Sequence, residues 1–292
     1  MLTGAGKGWL AQAGRRGAAL EAVRAHIAAE VDTRTDVIMS TVSADPWFPL
    51  PDRLPDGLAL TVVEGTPGVT AYYSDRSDGY VVLASNQLKQ LVTDWYVFNE
   101  SVATLRQTGV IGDAGPGDAE FVVHSAVLFP TALDGIRGEI ALTRYPFADV
   151  IAGRVRAPAG PVDSNAHLPV TELEHSVLLD RLLDGLRAGD VSALVTADHC
   201  LAVRVDGPGA PARFEGHNGA DSADALVALF AGAGDLTVLG RVTTEWYVFA
   251  EYVAVLDEAP HRLRHLVAIH PVRDGKLEGT FGYGVDETAG AD

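Results

Sequence analysis

Two pairs of residues in this 292-residue chain have the type and setting for proton chemistry. His124 and His265 sit in the strand-like stretches FVVHSAVLFP and RLRHLVAIHP, with Val122 and Ala126, or Leu263 and Val267, two places away. In an extended chain those apolar neighbours share a face with the histidine. An imidazole there can act as general base or acid. The competing reading is a histidine satisfied by a backbone or interface partner. Asp94 and Glu245 hold one position in two related hexapeptides, TDWYVF (93–98) and TEWYVF (244–249). Alternation places them with Tyr96 and Phe98, or Tyr247 and Phe249. A carboxylate on an aromatic face can abstract a proton next to a carbonyl. The competing reading is an edge acid facing water. Trp95, Tyr96, Trp246 and Tyr247 are the aromatics expected to bind a ligand beside these acids.

That the candidates come in pairs reveals the organisation, because repeats decide the fold. Trp95 and Trp246 lie 151 positions apart, and the same offset pairs Glu64-Gly65 with Glu215-Gly216, Glu100 with Glu251, and Val102-Ala103 with Val253-Ala254. His124 and His265, with Pro130 and Pro271, lie 141 apart. The ten-residue difference is assigned to a longer loop at Thr108–Asp118, rich in glycine and aspartate. SAD (43–45) pairs with TAD (196–198).

Each copy has the same predicted order. A helix carries apolar residues at helical spacing: Leu20, Val23, Ile27 and Ala28, or Leu178, Leu179, Leu182, Leu183 and Leu186. A short second helix follows (TDVIMSTVSAD or GDVSALVTAD), then a strand (Leu58–Val63 or Ala212–Phe214), then an EG turn into a third helix. The rest is strand-rich: TDWYVF, a tight turn at Asn99-Glu100, a return strand, the histidine strand, a DG turn and a last strand. Helices followed by an antiparallel meander indicate an α+β fold. The expected boundaries are 1–150, a proline-rich linker at 151–170, and 171–292.

The formal charge of −17 makes nucleic acid and membrane poor partners. No run of 18 apolar residues is present. The N-terminal residues do not read as a signal peptide, and Cys200 is the one cysteine, so a cytoplasmic location is expected. No metal or cofactor is expected. His199 and Cys200 are adjacent rather than at chelating spacing, and phosphate-loop, dinucleotide and nucleophile-elbow motifs are missing.

Paired N-terminal helices, an EG turn into a third helix and a meander closing on DGKLEG…Y resemble SnoaL-like domains of the nuclear transport factor two superfamily, over about 15–145 and 172–288. The resemblance implies two tandem cone-shaped domains, each a curved sheet wrapped against helices around an apolar pocket. It implies an internal pseudo-dimer, with a further homodimer possible. It adds His26 on the first helix, where dehydratases of the superfamily have a polar pocket residue. It also adds Asp45 and Asp198 after the second helix, near the pocket rim. Tyr72 and Tyr73 are helix aromatics suited to a pocket wall, and Tyr73 is taken as a binding residue. Glu64 and Glu215 read as helix caps, and Glu100 and Glu251 as solvated turn acids. Two functions follow: a cofactor-free lyase, isomerase or cyclase acting on a small apolar carbonyl compound, or a non-catalytic tandem scaffold binding an apolar molecule or a protein partner.

Overall fold

The computed structural model describes residues 4–54, 56–111, 115–155, 170–207, 209–256 and 262–288. It is α+β, and the described residues divide into two compact units. The first holds 4–54 and 61–155, the second 56–60 and 170–288. Most of the expected linker, 156–169, lies outside the described residues, as do 112–114 of the long loop.

The first unit begins with helices α1 (Gly4–Val31) and α2 (Thr35–Ser40) and a two-stranded ribbon of β1 (Trp47–Leu54) with β2 (Gly57–Glu64), of which residues 61–64 belong to this unit. Helix α3 (Gly65–Gly79) leads into an antiparallel sheet of β3 (Tyr80–Val92), β4 (Tyr96–Gln107) and β5 (Glu120–Ala132). Short strands β6 (Gly135–Ile136) and β7 (Ile140–Thr143) both pair with β5, and α4 (Phe147–Ile151) closes the unit. Helix α1 packs on the sheet through Ala19 and Val23, which meet Val97 and Phe129. That contact fixes the parity of the sheet. Val97, Asn99, Ser101 and Ala103 of β4, with Val123, Ser125, Val127 and Phe129 of β5, face the helices. Tyr96, Phe98, Glu100 and His124 face the other way.

The second unit repeats the order with α5 (Val170–Ala188), β8 (Val195–Asp206), β9 (Ala212–Gly216), α6 (Gly219–Leu229) and β10 to β13 (Asp235–Thr243, Tyr247–Val255, Arg262–Arg273, Lys276–Thr288). Here all six strands join one sheet, in the order β10-β11-β12-β13-β8-β9. The β13–β8 pairing is parallel. The Asp274-Gly275 turn has both residues at positive φ, 54° and 72°, as a two-residue hairpin requires.

Several expectations are corrected. The segment at Asn99-Glu100 is the interior of β4, not a turn. The turn is the first half of the repeated hexapeptide, residues 93–95 and 244–246. Thr93 N–H donates to Tyr96 O (2.9 Å), and Thr93 Oγ1 accepts from the backbone N–H of Tyr96 (3.0 Å). Thr244 and Tyr247 repeat both bonds. Asp94 and Glu245 are therefore turn residues. The second short helix of the second copy is a single 3-10 turn, Ser192–Leu194, and Asp198 lies inside β8. Glu64 sits at the N-cap of α3 without a side-chain cap bond. Asn218 caps α6 in place of Glu215, accepting from the N–H groups of Ala220 and Asp221.

Candidate active site of the first unit

A cavity of about 1190 Å³ opens between α1, α3, the β1–β2 ribbon and the helix-facing side of the sheet. All its lining residues among those described belong to the first unit. It exists because the first unit's apolar side chains break into separate clusters. Ala19, Val23, Val97 and Phe129 form one, Ala29, Ile38, Phe48 and Val69 another, and Leu105, Ile111, Phe121 and Val123 a third.

The floor is polar. Gln87 and Gln90 of β3 both donate to Asn99 Oδ1, at 2.5 and 3.0 Å, and the Ser101 and Ser125 hydroxyls meet at 3.1 Å. Simple alternation would send Gln87 and Gln90 to opposite faces. A bulge between Gln87 and Lys89 resets the parity and brings both to the cavity.

One wall carries the ionisable groups. His26, fully buried on α1, contacts Thr41 Oγ1 through Nδ1 (2.7 Å) and Tyr73 Oη through Nε2 (2.8 Å). Tyr73 also donates to Glu139 Oε2 at 2.5 Å. Glu30, one turn after His26, is ion-paired with Arg76 at 2.8 Å. The Arg76 guanidinium lies over the rings of Tyr73 and Tyr80, at 5.0 and 5.6 Å. Glu30, Glu139, Arg76 and Tyr72 reach the cavity surface. Burial works against ionising Glu139, but the His26 imidazole 3.7 Å away, the Arg76 charge and the hydrogen bond from Tyr73 outweigh it and hold the carboxyl below its usual range. Burial pushes the Tyr72 and Tyr73 phenols well above theirs, so both stay protonated.

His26, Glu30 and Glu139 each offer a ligand atom within 4.8 Å of the others, the outline of a cation site. The donor set fits a cation poorly. Arg76 already occupies the Glu30 oxygen, and the Tyr73 hydroxyl sits between His26 and Glu139.

The other candidates lie elsewhere. His124 is buried on the opposite face of the sheet, where its Nε2 bonds Glu100 Oε1 at 2.7 Å. Glu100 also pairs with Lys89 at 3.0 Å, so it is a buried strand acid and not a solvated turn acid. Asp94 pairs with Arg15 on α1 (3.1 Å), and Asp45 is exposed in the bend before β1. Tyr96 is buried on the face away from the cavity, and half-buried Trp95 stacks edge-on against it at 4.9 Å.

In the second unit one continuous apolar cluster of the described residues lies on the helix-facing side of the sheet. Leu178, Leu182 and Leu186 of α5 and Leu226 and Leu229 of α6 pack on Leu201, Tyr252 and Leu266 in one continuous cluster. Its buried polar groups form a chain: Tyr252 Oη to His270 Nε2 (2.8 Å), His270 Nδ1 to Thr280 Oγ1 (2.9 Å), Thr280 to His199 Nε2 (3.2 Å), and His199 Nδ1 to Ser222 Oγ (2.7 Å). Burial lowers His199 to about 4 and His270 to about 3, so both are neutral. Burial likewise pushes the Cys200 thiol up to about 12, leaving it unreactive. Asp198 is bound by Arg273 (2.6 Å). Burial opposes its ionisation, but the Arg273 hydrogen bonds and charge prevail and keep its carboxyl below the usual carboxylate range. His265 is partly exposed, 4.0 Å from Glu287, and Glu245 is exposed. Trp246 and Tyr247 are buried, stacked edge-on at 4.7 Å.

No family model matches the chain, and no curated protein is similar to it. Solved structures do match, each over just under half of it. One is an NTF2-like protein from Burkholderia xenovorans LB400, at 11% identity, covering 46% of this chain and 92% of its own, TM-score 0.35. Another is a protein from Shewanella denitrificans OS-217, provisionally described as a SnoaL-like polyketide cyclase, at 13% identity, 42% and 88% coverage, TM-score 0.36. A third, from Catenulispora acidiphila, has a ketosteroid isomerase-like fold and was crystallised with trimethylamine, at 18% identity, 45% and 90% coverage, TM-score 0.35. Among the described residues no helix is long and apolar enough to cross a membrane.

Proposed function

We propose that the first unit is an acid–base enzyme, a lyase, isomerase or cyclase acting on a small, largely apolar carbonyl compound, and that the second unit is a packed structural copy. The observation that carries this reading is the cavity itself, which brings Glu139, Glu30, Arg76 and Tyr72 to a shared wall beside an uncharged floor. In this reading Glu139 takes a proton from the carbon next to the carbonyl. Charge then develops on the carbonyl oxygen, where the Arg76 guanidinium and the protonated Tyr72 phenol stabilise it. Return of the proton at another carbon gives isomerisation; loss of a leaving group gives elimination. No step draws on His124, Asp94, His265, Glu245 or Asp198.

The hydrogen-bonded amides and hydroxyls of the floor favour a second reading, a binder without chemistry, because they can orient a ligand unaided. Proton exchange separates the two. The chain is incubated in deuterium oxide with a panel of small ketones and aldehydes, and loss of the protons next to the carbonyl is followed by NMR. The enzyme reading expects exchange above the buffer rate that Glu139→Gln lowers by roughly 10²–10⁴-fold. Compounds that bind in the cavity yet exchange no faster than in buffer would leave only the binder.

A further inference from the structure

We propose that His26, Tyr73 and Glu139 form a proton relay that holds one proton in common and presents it to the cavity at Glu139. The proposal rests on the acid–base reading of this site. It follows from counting hydrogens. The Thr41 hydroxyl gives its hydrogen to the carbonyl of Ile38 at 2.6 Å, so toward His26 its oxygen can only accept. His26 Nδ1 therefore carries a hydrogen. On the other side, Nε2, Tyr73 Oη and Glu139 Oε2 make two contacts in series, 2.8 and 2.5 Å. Each needs one hydrogen, and Tyr73 supplies only one. The second rests on Nε2 or on the Glu139 carboxyl.

These two arrangements interconvert without movement of a heavy atom. The N–H bond at Nε2 breaks as Tyr73 Oη takes that hydrogen, and the hydrogen Tyr73 already held passes to Glu139 Oε2. An imidazolium and a carboxylate become a neutral imidazole and a carboxylic acid, and Tyr73 is a neutral phenol in both. In the first state Glu139 can accept a proton from a ligand; in the second it can donate one. His26 and Tyr73, at 0% and 1% exposure, are off the cavity surface and act through Glu139, which lines it. They are positioning residues.

Among the described residues, charged and titratable groups beside the trio include Glu30, Arg76, Tyr72 and Tyr80. Glu30 Oε1 is 3.7 Å from Nε2, but Arg76 neutralises it. Tyr72 and Tyr80 are phenols that burial keeps protonated, and the Phe129 ring lies edge-on 5.9 Å from the imidazole.

The test uses the intact chain without any ligand. Histidine ring nitrogens and glutamate carboxyl carbons are isotope-labelled and followed by NMR across a pH titration, with His26→Asn and Glu139→Gln assigning the signals. The expected result is that Nε2 and the Glu139 carboxyl change together at one midpoint. In Tyr73→Phe they are expected to separate by at least about one pH unit. In Glu139→Gln, His26 is expected to show a bare Nε2 and a protonated Nδ1; this variant decides the matter if Tyr73→Phe does not fold. Independent midpoints in the wild type, an unsplit midpoint in Tyr73→Phe, or a protonated Nε2 in Glu139→Gln at neutral pH would overturn the relay. Absence of proton exchange on any ketone, with the joint midpoint intact, would sink the enzyme reading and spare the relay.

Discussion

The two units carry the same order of elements, yet the first holds a cavity where the described residues of the second hold one continuous apolar cluster. Sheet closure separates them. In the second unit β13 runs for 13 residues and recruits β8 and β9, and leucines from α5 and α6 join the cluster above it. In the first unit β7 has four residues, β1 and β2 form a ribbon of their own, and the space remains open. Their buried polar chains differ in the same sense. From Tyr252 through His270, Thr280 and His199 to Ser222, each contact is filled by one hydrogen with both imidazoles neutral, since Ser222 passes its own hydrogen to backbone carbonyls. The chain through His26, Tyr73 and Glu139 has one more proton than its neutral imidazole and phenol supply. A network that closes without charge suits a core, and one with a movable proton suits a site.

The largest expected effect would break the comparison at its centre. Glu139→Gln should reduce proton exchange on a bound carbonyl compound by about 10²–10⁴-fold, while Tyr252→Phe in the second unit leaves it within about twofold. Equal losses in both variants would mean that the hollow unit is not the active one. Next come the cores. Leu182→Ala, in the second unit, should destabilise by about 2–5 kcal/mol in denaturant unfolding. Ala141→Leu projects into the existing cavity of the first unit and should change stability by less than about 1 kcal/mol while weakening ligand binding. A large loss of stability in Ala141→Leu would show that the cavity does not accept added volume.

The pH response sharpens the contrast. His199 and His270 have folded values of about 4 and about 3 against an ordinary imidazole value of 6.5. The unfolded chain therefore binds more protons, and stability rises with pH. The contribution of these residues is complete above 6.5 and declines as the pH falls from 6.5 toward about 4 for His199 and about 3 for His270. Calorimetry of the intact chain should show the transition assigned to the second unit losing a few kcal/mol over that window. His270→Phe should flatten the decline. A transition independent of pH between 4 and 6.5 would contradict the neutral chain.

Much of this architecture was legible in the sequence. The repeated helix spacing of Leu178, Leu182 and Leu186, the DG turns and the doubled hexapeptide all reflect local preferences that tertiary packing reinforces. Strand β3 was missed because its bulges destroy the two-residue alternation by which a half-buried strand is recognised. The site was harder. His26 was found through the family resemblance, and Tyr73 as a helix aromatic. Glu139 and Arg76 went unseen, because an acid after a short bulged turn and a cation on a polar helix carry no local mark of burial. Their setting is made by groups as distant in sequence as Glu30 and Glu139. His124 had the right pattern on the wrong face, since alternation gives which residues share a side but not which side is hollow.

The smallest expected effect tests that last point in both units at once. Asp94 and Glu245 occupy equivalent turn positions, and neither touches the cavity. Asp94→Asn removes an exposed ion pair with Arg15, whose side chain is 47% exposed, so it should cost less than about 1 kcal/mol. Glu245→Gln, on an exposed turn, should fall within about 0.5 kcal/mol of the wild type. Proton exchange should be unchanged in both. The turn is held by Thr93 and Thr244, not by the acids, so Thr244→Val should exceed either substitution by opening the bonds to the backbone of Trp246 and Tyr247. A hundredfold loss of exchange in Asp94→Asn would place chemistry at the turn and return the hexapeptide to the list of catalytic elements.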